Sequence, residues 1–391
     1  MRSAAWLALS LALCAGCAAV LDLSDAQSIP EHCADSDECG PDQICTRGVC
    51  ESTRCVPGTR RCNVLTPEIC RSDEHWGPYG KPCSLECQAG RCITPLSCEL
   101  NPRCADGDAS CCESLKVEAA SFELLNDANG EAPDLPVQRK VSAFAMDRFE
   151  VTLSRFARFV GAYGSGALMP SDADGSPHGL PGQGWDAAWN KEHLLPLSAD
   201  AIRYELNCGD QSSMELETDL PVACVTWHLA YAFCIWDGGR LPTEAEWSLA
   251  AMGDTDRRMY PWSMDDQDEG ISDEQAVYSD ELPARTRPEP AGTHPKGKGK
   301  YGHEDLAGNL WEWTLDYFHE RLRPGPCHTD IDAKSPDVRL DCQELEATGS
   351  RVLKGGSYAN THRQVQSYRR SSSEPQTRDP TVGFRCVRDS E

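Results

Sequence analysis

Gly238-Gly239-Arg240-Leu241-Pro242-Thr243-Glu244-Ala245-Glu246-Trp247 is the stretch whose reading decides the fold. Thr243 and Glu246 have the spacing of a capping box, in which the threonine hydroxyl accepts from the Glu246 backbone N–H and the Glu246 carboxylate accepts from that of Thr243. A helix is predicted to start there. Upstream, Trp227 to Trp236 is apolar nearly all round, which in so short a segment means a helix packed on several sides. Phe144 to Glu150 reads as a strand leading to Thr152, a residue type suited to an N-cap. Phe156, Phe159, Val160 and Tyr163 then recur at i, i+3, i+4 and i+7 and form one buried helical stripe. Gly, Pro, Ser and Asp dominate Gly164 to Gly184, a long loop. Downstream, Arg351 to Ser357 and Gly383 to Arg388 read as strands, with glycines where chains must come close. Helices, strands and long loops are thus mixed along one stretch of chain.

The whole chain has 391 residues, 62 of them acidic and 37 basic, for a net charge of -25. Such a surface repels phosphate backbones, which excludes general nucleic-acid binding, and it disfavours contact with an anionic membrane face. The length exceeds one typical domain. Fourteen of the 22 cysteines fall between Cys33 and Cys112, a density suited to an oxidising compartment.

The N-terminus reads as that of an exported protein. Arg2 precedes an apolar run from Ala4 to Leu13 broken only by Ser10, the layout of a secretory signal. The run ends at Cys14-Ala15-Gly16-Cys17, which resembles a bacterial lipobox with Cys14 where Leu is usual. That resemblance implies a signal peptide over 1–17, a diacylglycerol on the thiol of Cys17 and a linker over 18–32. Ala18 in place of Asp implies transfer to the outer membrane of a Gram-negative cell. The rival reading is an uncleaved anchor, since Ala4 to Leu21 is about long enough to cross a bilayer. Either way the rest of the chain is tethered outside the cytoplasm.

Between Cys33 and Cys112 lie Gly, Pro, Asp and Arg with almost no apolar run, so covalent links must hold this segment. A disulfide stalk over 33–112 is expected, with a small protein-binding module as the alternative. Paired Cys-x2-Cys knuckles are absent, which argues against zinc.

Phe144-Ala-Met-Asp-Arg-Phe-Glu-Val-Thr152, Pro221-Val-Ala-Cys-Val-Thr-Trp227, Gly238 to Trp247, Tyr260-Pro-Trp262, Leu306-Ala-Gly-Asn-Leu-Trp-Glu-Trp-Thr314, Lys354-Gly-Gly-Ser-Tyr358 and Gly383-Phe-Arg-Cys386 follow one another in order. Together they resemble the formylglycine-generating-enzyme, or sulfatase-modifying factor, family over roughly residues 115 to 391. The resemblance implies an α+β fold of C-type-lectin-like kind, with much irregular chain, over a domain placed at 113–391. Active members of that family oxidise a substrate cysteine with O2 at a copper(I) ion held by two thiolates, soft donors suited to a soft ion. The two cysteines stand two and seven residues after the Tyr of Gly-Gly-Ser-Tyr, and here those places are Asn360 and Val365. Neither binds copper, and the nearby Thr361, His362 and Arg363 do not replace a thiolate pair.

The resemblance also implies a disulfide between Cys234 and Cys386. Cys208 with Cys224, and Cys327 with Cys342, are then the simplest further pairs, each closing a loop of about 15 positions, worth about 3 kcal/mol in chain entropy. A related branch of sulfoxide synthases binds iron through a His-x3-His-x-Glu helix, a pattern that none of the ten histidines forms. His228 is expected to be a packed or capping histidine. Asp305, Gly308, Leu310 and Glu312 match the family's calcium site, two side-chain oxygens with two backbone carbonyls, which suits a hard cation. The alternative is that Glu312, flanked by Trp311 and Trp313, pairs with an arginine or with backbone N–H groups. A second family calcium site, near Ala276-Val277-Tyr278, lacks its Asn.

The expectation is therefore an envelope lipoprotein whose large domain lacks copper chemistry and acts as a binding or structural module. Its cleft would be lined by Trp311, Ser357, Tyr358, Asn360 and His362, and its partner would be an extracytoplasmic protein, peptide or glycan. The alternative is an oxidoreductase of the same superfamily working through a divergent, metal-assisted site.

Overall fold

The computed structural model describes residues 95–98, 102–104, 109–125, 136–164, 169–180, 182–209, 219–264, 270–280, 285–320, 340–341, 343 and 349–390, with the backbone of seven short strands between Gln43 and Ile93. The signal segment 1–17 with Cys17, the linker 18–32, the side chains of the cysteines from Cys33 to Cys92, and both Cys327 and Cys342 lie outside the described residues. Two compact units divide the chain. One comprises Met1–Thr59 and Ile69–Gly77, and in it Gln43–Thr46 and Val49–Ser52 form an antiparallel hairpin. The other comprises Arg60–Glu68 and Pro78–Glu391.

In this larger unit the capping box forms. Thr243 Oγ1 accepts from the N–H of Glu246 at 3.1 Å, and Glu246 Oε2 accepts from the N–H of Thr243 at 2.8 Å. A cap of this kind stabilises a helix by about 1 kcal/mol. The Glu246 carboxylate is shared with Arg240, whose Nη1 and Nη2 donate at 2.7 and 2.6 Å. Helix Glu244–Met252 is buried along its whole length, and Trp247 and Leu249 join Phe144, Met146 and Val387 in one core. Helix Trp227–Trp236 is capped by Thr226 and buries eight of its ten residues, so it has no solvated face. Its Phe233 stacks on Phe156 of helix Leu153–Gly164 at 5.4 Å, and Phe384 meets both rings edge-on. Cys234 is bonded to Cys386 beside that aromatic contact.

A three-stranded antiparallel sheet places Phe144–Asp147 between Ser114–Val117 and Val387–Asp389. A four-stranded sheet runs in the order Arg370–Ser373, Arg351–Lys354, Trp311–Tyr317, Val382–Gly383, and only the last pairing is parallel. The fold is α+β with long irregular connections.

Three predicted strands are shorter than expected, each for a physical reason. The first stops at Asp147, beyond which Glu150 turns into the interior. The second stops at Lys354, because Gly355 and Gly356 have φ of 97° and 77°. The third is split into Val382–Gly383 and Val387–Asp389, and the interruption aims Arg385 at Glu312 and Cys386 at Cys234. The sequence pattern also gave no sign of helix Ala199–Glu205 or of the π-helical turn Asn190–Leu194.

Part of the segment expected in the stalk belongs to this unit. Cys98 is bonded to Cys112, and Cys104 to Cys111. Ser97 donates from its N–H to Asp237 Oδ1 at 2.8 Å, and Arg155 donates to Ser97 Oγ at 3.0 Å and to the Cys111 carbonyl at 3.2 Å. Arg155 also binds Asp147 and Asp237, each at 2.8 Å, and Arg388 binds the same two carboxylates. Burial pushes the Asp147 carboxyl up, but Arg155 and Arg388 outweigh it and hold the group down at about 2.

Candidate functional site

After Lys354 the chain makes a tight loop through Ser357, Tyr358 and Asn360 to a short 3-10 turn, His362–Val365. Gly356 is required by a close approach as well as by its φ, since a Cβ there would meet Val365 Cγ1 at 2.6 Å. Asn360 closes the loop: its Oδ1 accepts from the N–H of Ser357 at 2.9 Å and from Ser357 Oγ at 2.7 Å. The Asn360 carbonyl accepts from the N–H of Ser279 at 2.8 Å, which fastens the loop to its neighbour. Val365 is fully buried among Tyr260, Ala276 and Ala307. The two positions where copper thiolates would stand are thus an engaged amide and a packed isopropyl group. They do not fit a copper ion, and no chemistry through copper follows from them.

The residues expected to line a cleft separate into two groups. Trp311, Ser357 and Tyr358 are interior: Trp311 is part of the largest core, and Tyr358 packs on Ala223, Val277 and Leu310. Asn360 and His362 are both half-buried. The His362 backbone N–H donates to Asp280 Oδ1 at 2.8 Å, and its Nδ1–H donates to Asp280 Oδ2 at 2.7 Å. Two bonds to one carboxylate fix the ring and leave Nε2 as its remaining nitrogen. Ala359, Thr361 and Arg363 beside it are exposed.

Behind the loop lies a buried group of carboxylates. Asn309 Nδ2 and the N–H of Leu310 donate to Glu150 at 2.6 and 3.0 Å, and Asp305 Oδ2 accepts from the N–H of Gly292 at 2.7 Å. Glu312 accepts from Arg385 at 2.8 and 2.7 Å and from Trp247 Nε1 at 2.8 Å, so it has an arginine partner. Burial drives the Glu150 carboxyl well above the usual carboxylate range, with Asp305 and Glu312 adding to the rise and Arg385 opposing it. Burial likewise pushes Asp305 up to about 6, against the Gly292 N–H and Arg385. Three carboxylates face one guanidinium, an imbalance that a hard cation would relieve. Among the described residues no three His, Cys, Asp or Glu side chains converge as a ready-made cage. Calcium here would draw on Asp305 and Glu312 with the carbonyls of Gly308 and Leu310, and that oxygen set fits the ion in charge and in kind.

Asp280, Glu150 and Arg385 were not read from the sequence as parts of a site. Glu150 carries the same signal as Glu312, a carboxylate between apolar neighbours, here Phe149 and Val151. Asp280 carries none, because 82 residues separate it from His362. His228 is packed: it stacks on His193 at 3.7 Å and meets Trp185, Trp189 and Trp227 edge-on. Burial first, then His193 and Arg351, lower its pKa to about 3.

Comparison with known proteins places these features in a family. Residues 104–390 match the model of the sulfatase-modifying factor enzyme 1-like domain. The formylglycine-generating enzyme of Thermomonospora curvata is 30% identical over 274 residues, 67% of this chain and 86% of that protein. The inactive C-alpha-formylglycine-generating enzyme 2 of Mus musculus is 26% identical over 322 residues, 75% of this chain and 90% of that protein. The hercynine oxygenase of Mycolicibacterium smegmatis is 36% identical over 151 residues, 37% of this chain and 32% of that protein. The relatives therefore include proteins named as formylglycine-generating enzymes, one named as an oxygenase, and proteins named as inactive. The chain belongs to the sulfatase-modifying factor, or formylglycine-generating-enzyme, family.

Proposed function

We propose that this member of the family is a binding module without copper chemistry, stiffened by calcium at Asp305, Gly308, Leu310 and Glu312. In this reading it is exported, tethered to the outer membrane of a Gram-negative cell by lipid on Cys17, and displayed on a disulfide-rich stalk. The observation that carries the reading is the use made of positions 360 and 365. Asn360 spends its side-chain amide oxygen on Ser357, and Val365 is packed away from solvent. The contact surface is the turn with exposed Ala359, Thr361 and Arg363 and half-buried His362, with Ser357, Tyr358 and Trp311 as its support. Its partner is an extracytoplasmic protein, peptide or glycan.

A second reading, an oxidoreductase with a divergent metal-assisted site, draws support from the imidazole that Asp280 holds in one orientation. Metal analysis of the purified protein, with O2 consumption measured on a cysteine-containing peptide, separates the two. Calcium without O2 uptake is the expected result. Stoichiometric copper or iron together with O2 uptake would overturn the binding-module reading.

A further inference from the structure

Four disulfides are present among the described residues, and three of them have both cysteines buried: Cys98–Cys112, Cys104–Cys111 and Cys234–Cys386. The fourth, Cys208–Cys224, differs. Cys224 is fully buried, but Cys208 is exposed at the end of the 3-10 turn Leu206–Gly209. Both residues also have left-handed backbones, with φ of 55° at Cys208 and 59° at Cys224. A residue with a Cβ pays a steric penalty in that region, so the cross-link holds two strained residues. Exposed or strained bridges are the ones that exchange with thiols, because the attacking thiolate must reach a sulfur in line with the bond.

We propose that Cys208 is a thiol-exchange site, at which a small thiolate of the glutathione class reversibly opens the bridge to Cys224. The incoming thiolate gives its electron pair to Sγ of Cys208, the S–S bond breaks, and the pair leaves on Sγ of Cys224, which takes a proton from water. Cys224 is reduced, and the incoming thiol is oxidised into the mixed disulfide. The surroundings let this happen without dismantling the core. The Cys224 N–H donates to the Asp379 carbonyl at 3.1 Å, its carbonyl accepts from Arg378 Nη1 at 2.9 Å, and the Val222 N–H donates to the Val151 carbonyl at 2.9 Å. Those bonds keep Cys224 in place after the bridge opens, so its thiol remains poised to expel the adduct.

The test is graded reduction of the intact protein with reduced glutathione, followed by alkylation and peptide mass spectrometry. The expected result is a glutathione adduct on Cys208 and a free thiol on Cys224 at concentrations that leave Cys98, Cys104, Cys111, Cys112, Cys234 and Cys386 bonded. An adduct on Cys224, or opening of Cys234–Cys386 at the same concentration, overturns the proposal. Single variants give an independent check with oxidised glutathione. Cys224→Ser, which leaves Cys208 alone, is expected to form the adduct in the folded state, and Cys208→Ser is expected to react only after denaturation. Equal reactivity of the two folded variants would refute the asymmetry.

Discussion

Replacing Lys354 with methionine is expected to make the protein more stable at neutral pH. Lys354 is fully buried at the end of strand Arg351–Lys354, and among the described residues its Nζ has no hydrogen-bond partner. Burial lowers its pKa from 10.5 to about 8, partly countered by Glu244 and reinforced by Arg370. At about 1.4 kcal/mol per unit, keeping this amine charged in the folded state costs about 3 kcal/mol at pH 7. The Trp247 ring, 5.4 Å from Nζ, returns up to about 2 kcal/mol by cation–π attraction. Methionine keeps the volume of the stem, so Lys354→Met is expected to gain about 1 kcal/mol at pH 7. The pH dependence gives the sharper test. The folded state releases this proton near pH 8 and the unfolded state near 10.5, so the unfolded state binds more protons between those values. Parent stability should therefore rise across that window relative to the variant. Urea unfolding of both proteins from pH 7 to 11 measures the difference, in which the tyrosines common to both cancel. A variant less stable than the parent at pH 7, or a difference that does not change with pH, would refute the reasoning.

Arg385→Met removes both guanidinium bonds to Glu312 and those to the carbonyls of Arg148 and Glu304, and leaves the buried Glu312 carboxylate with the Trp247 Nε1–H as its remaining partner among the described residues. A loss of about 3–5 kcal/mol in urea unfolding is expected, and a loss below about 1 kcal/mol would show that the pair is dispensable. Asp147→Asn should cost about 2 kcal/mol at pH 7, from the fall of its pKa from 3.8 to about 2. Because that pKa is depressed, the contribution is complete above pH 4 and disappears as the pH falls towards 2. The gap between parent and variant should therefore close over that interval in acid unfolding followed by circular dichroism.

The elements best read from the sequence are those whose signals are local. Thr243 and Glu246 are three residues apart, and their box forms with both bonds. The stripe of Phe156, Phe159, Val160 and Tyr163 is buried as one face because its period is that of a helix. Strand ends were misplaced wherever a distant partner decides them, as when Arg385 leaves the sheet to meet Glu312, 73 residues away. The candidate site shows the same division. The identities of Asn360 and Val365 are visible in the sequence, but their uses depend on Ser357, Ser279 and Tyr260. Trp311, Ser357 and Tyr358 have residue types suited to a binding surface, and only the packing shows them to be interior.

The three-stranded sheet has a consequence for the order of events during synthesis. Its middle strand, Phe144–Asp147, is made early, but one of its edges is closed only by Val387–Asp389. The Cys234–Cys386 link spans 152 positions and likewise awaits the final stretch. Contacts so remote along the chain form slowly, and a nascent polypeptide halted before residue 386 would hold an open strand edge and an unmated thiol. The third strand of this sheet and the bridge are therefore completed only once residues 386–389 have been made.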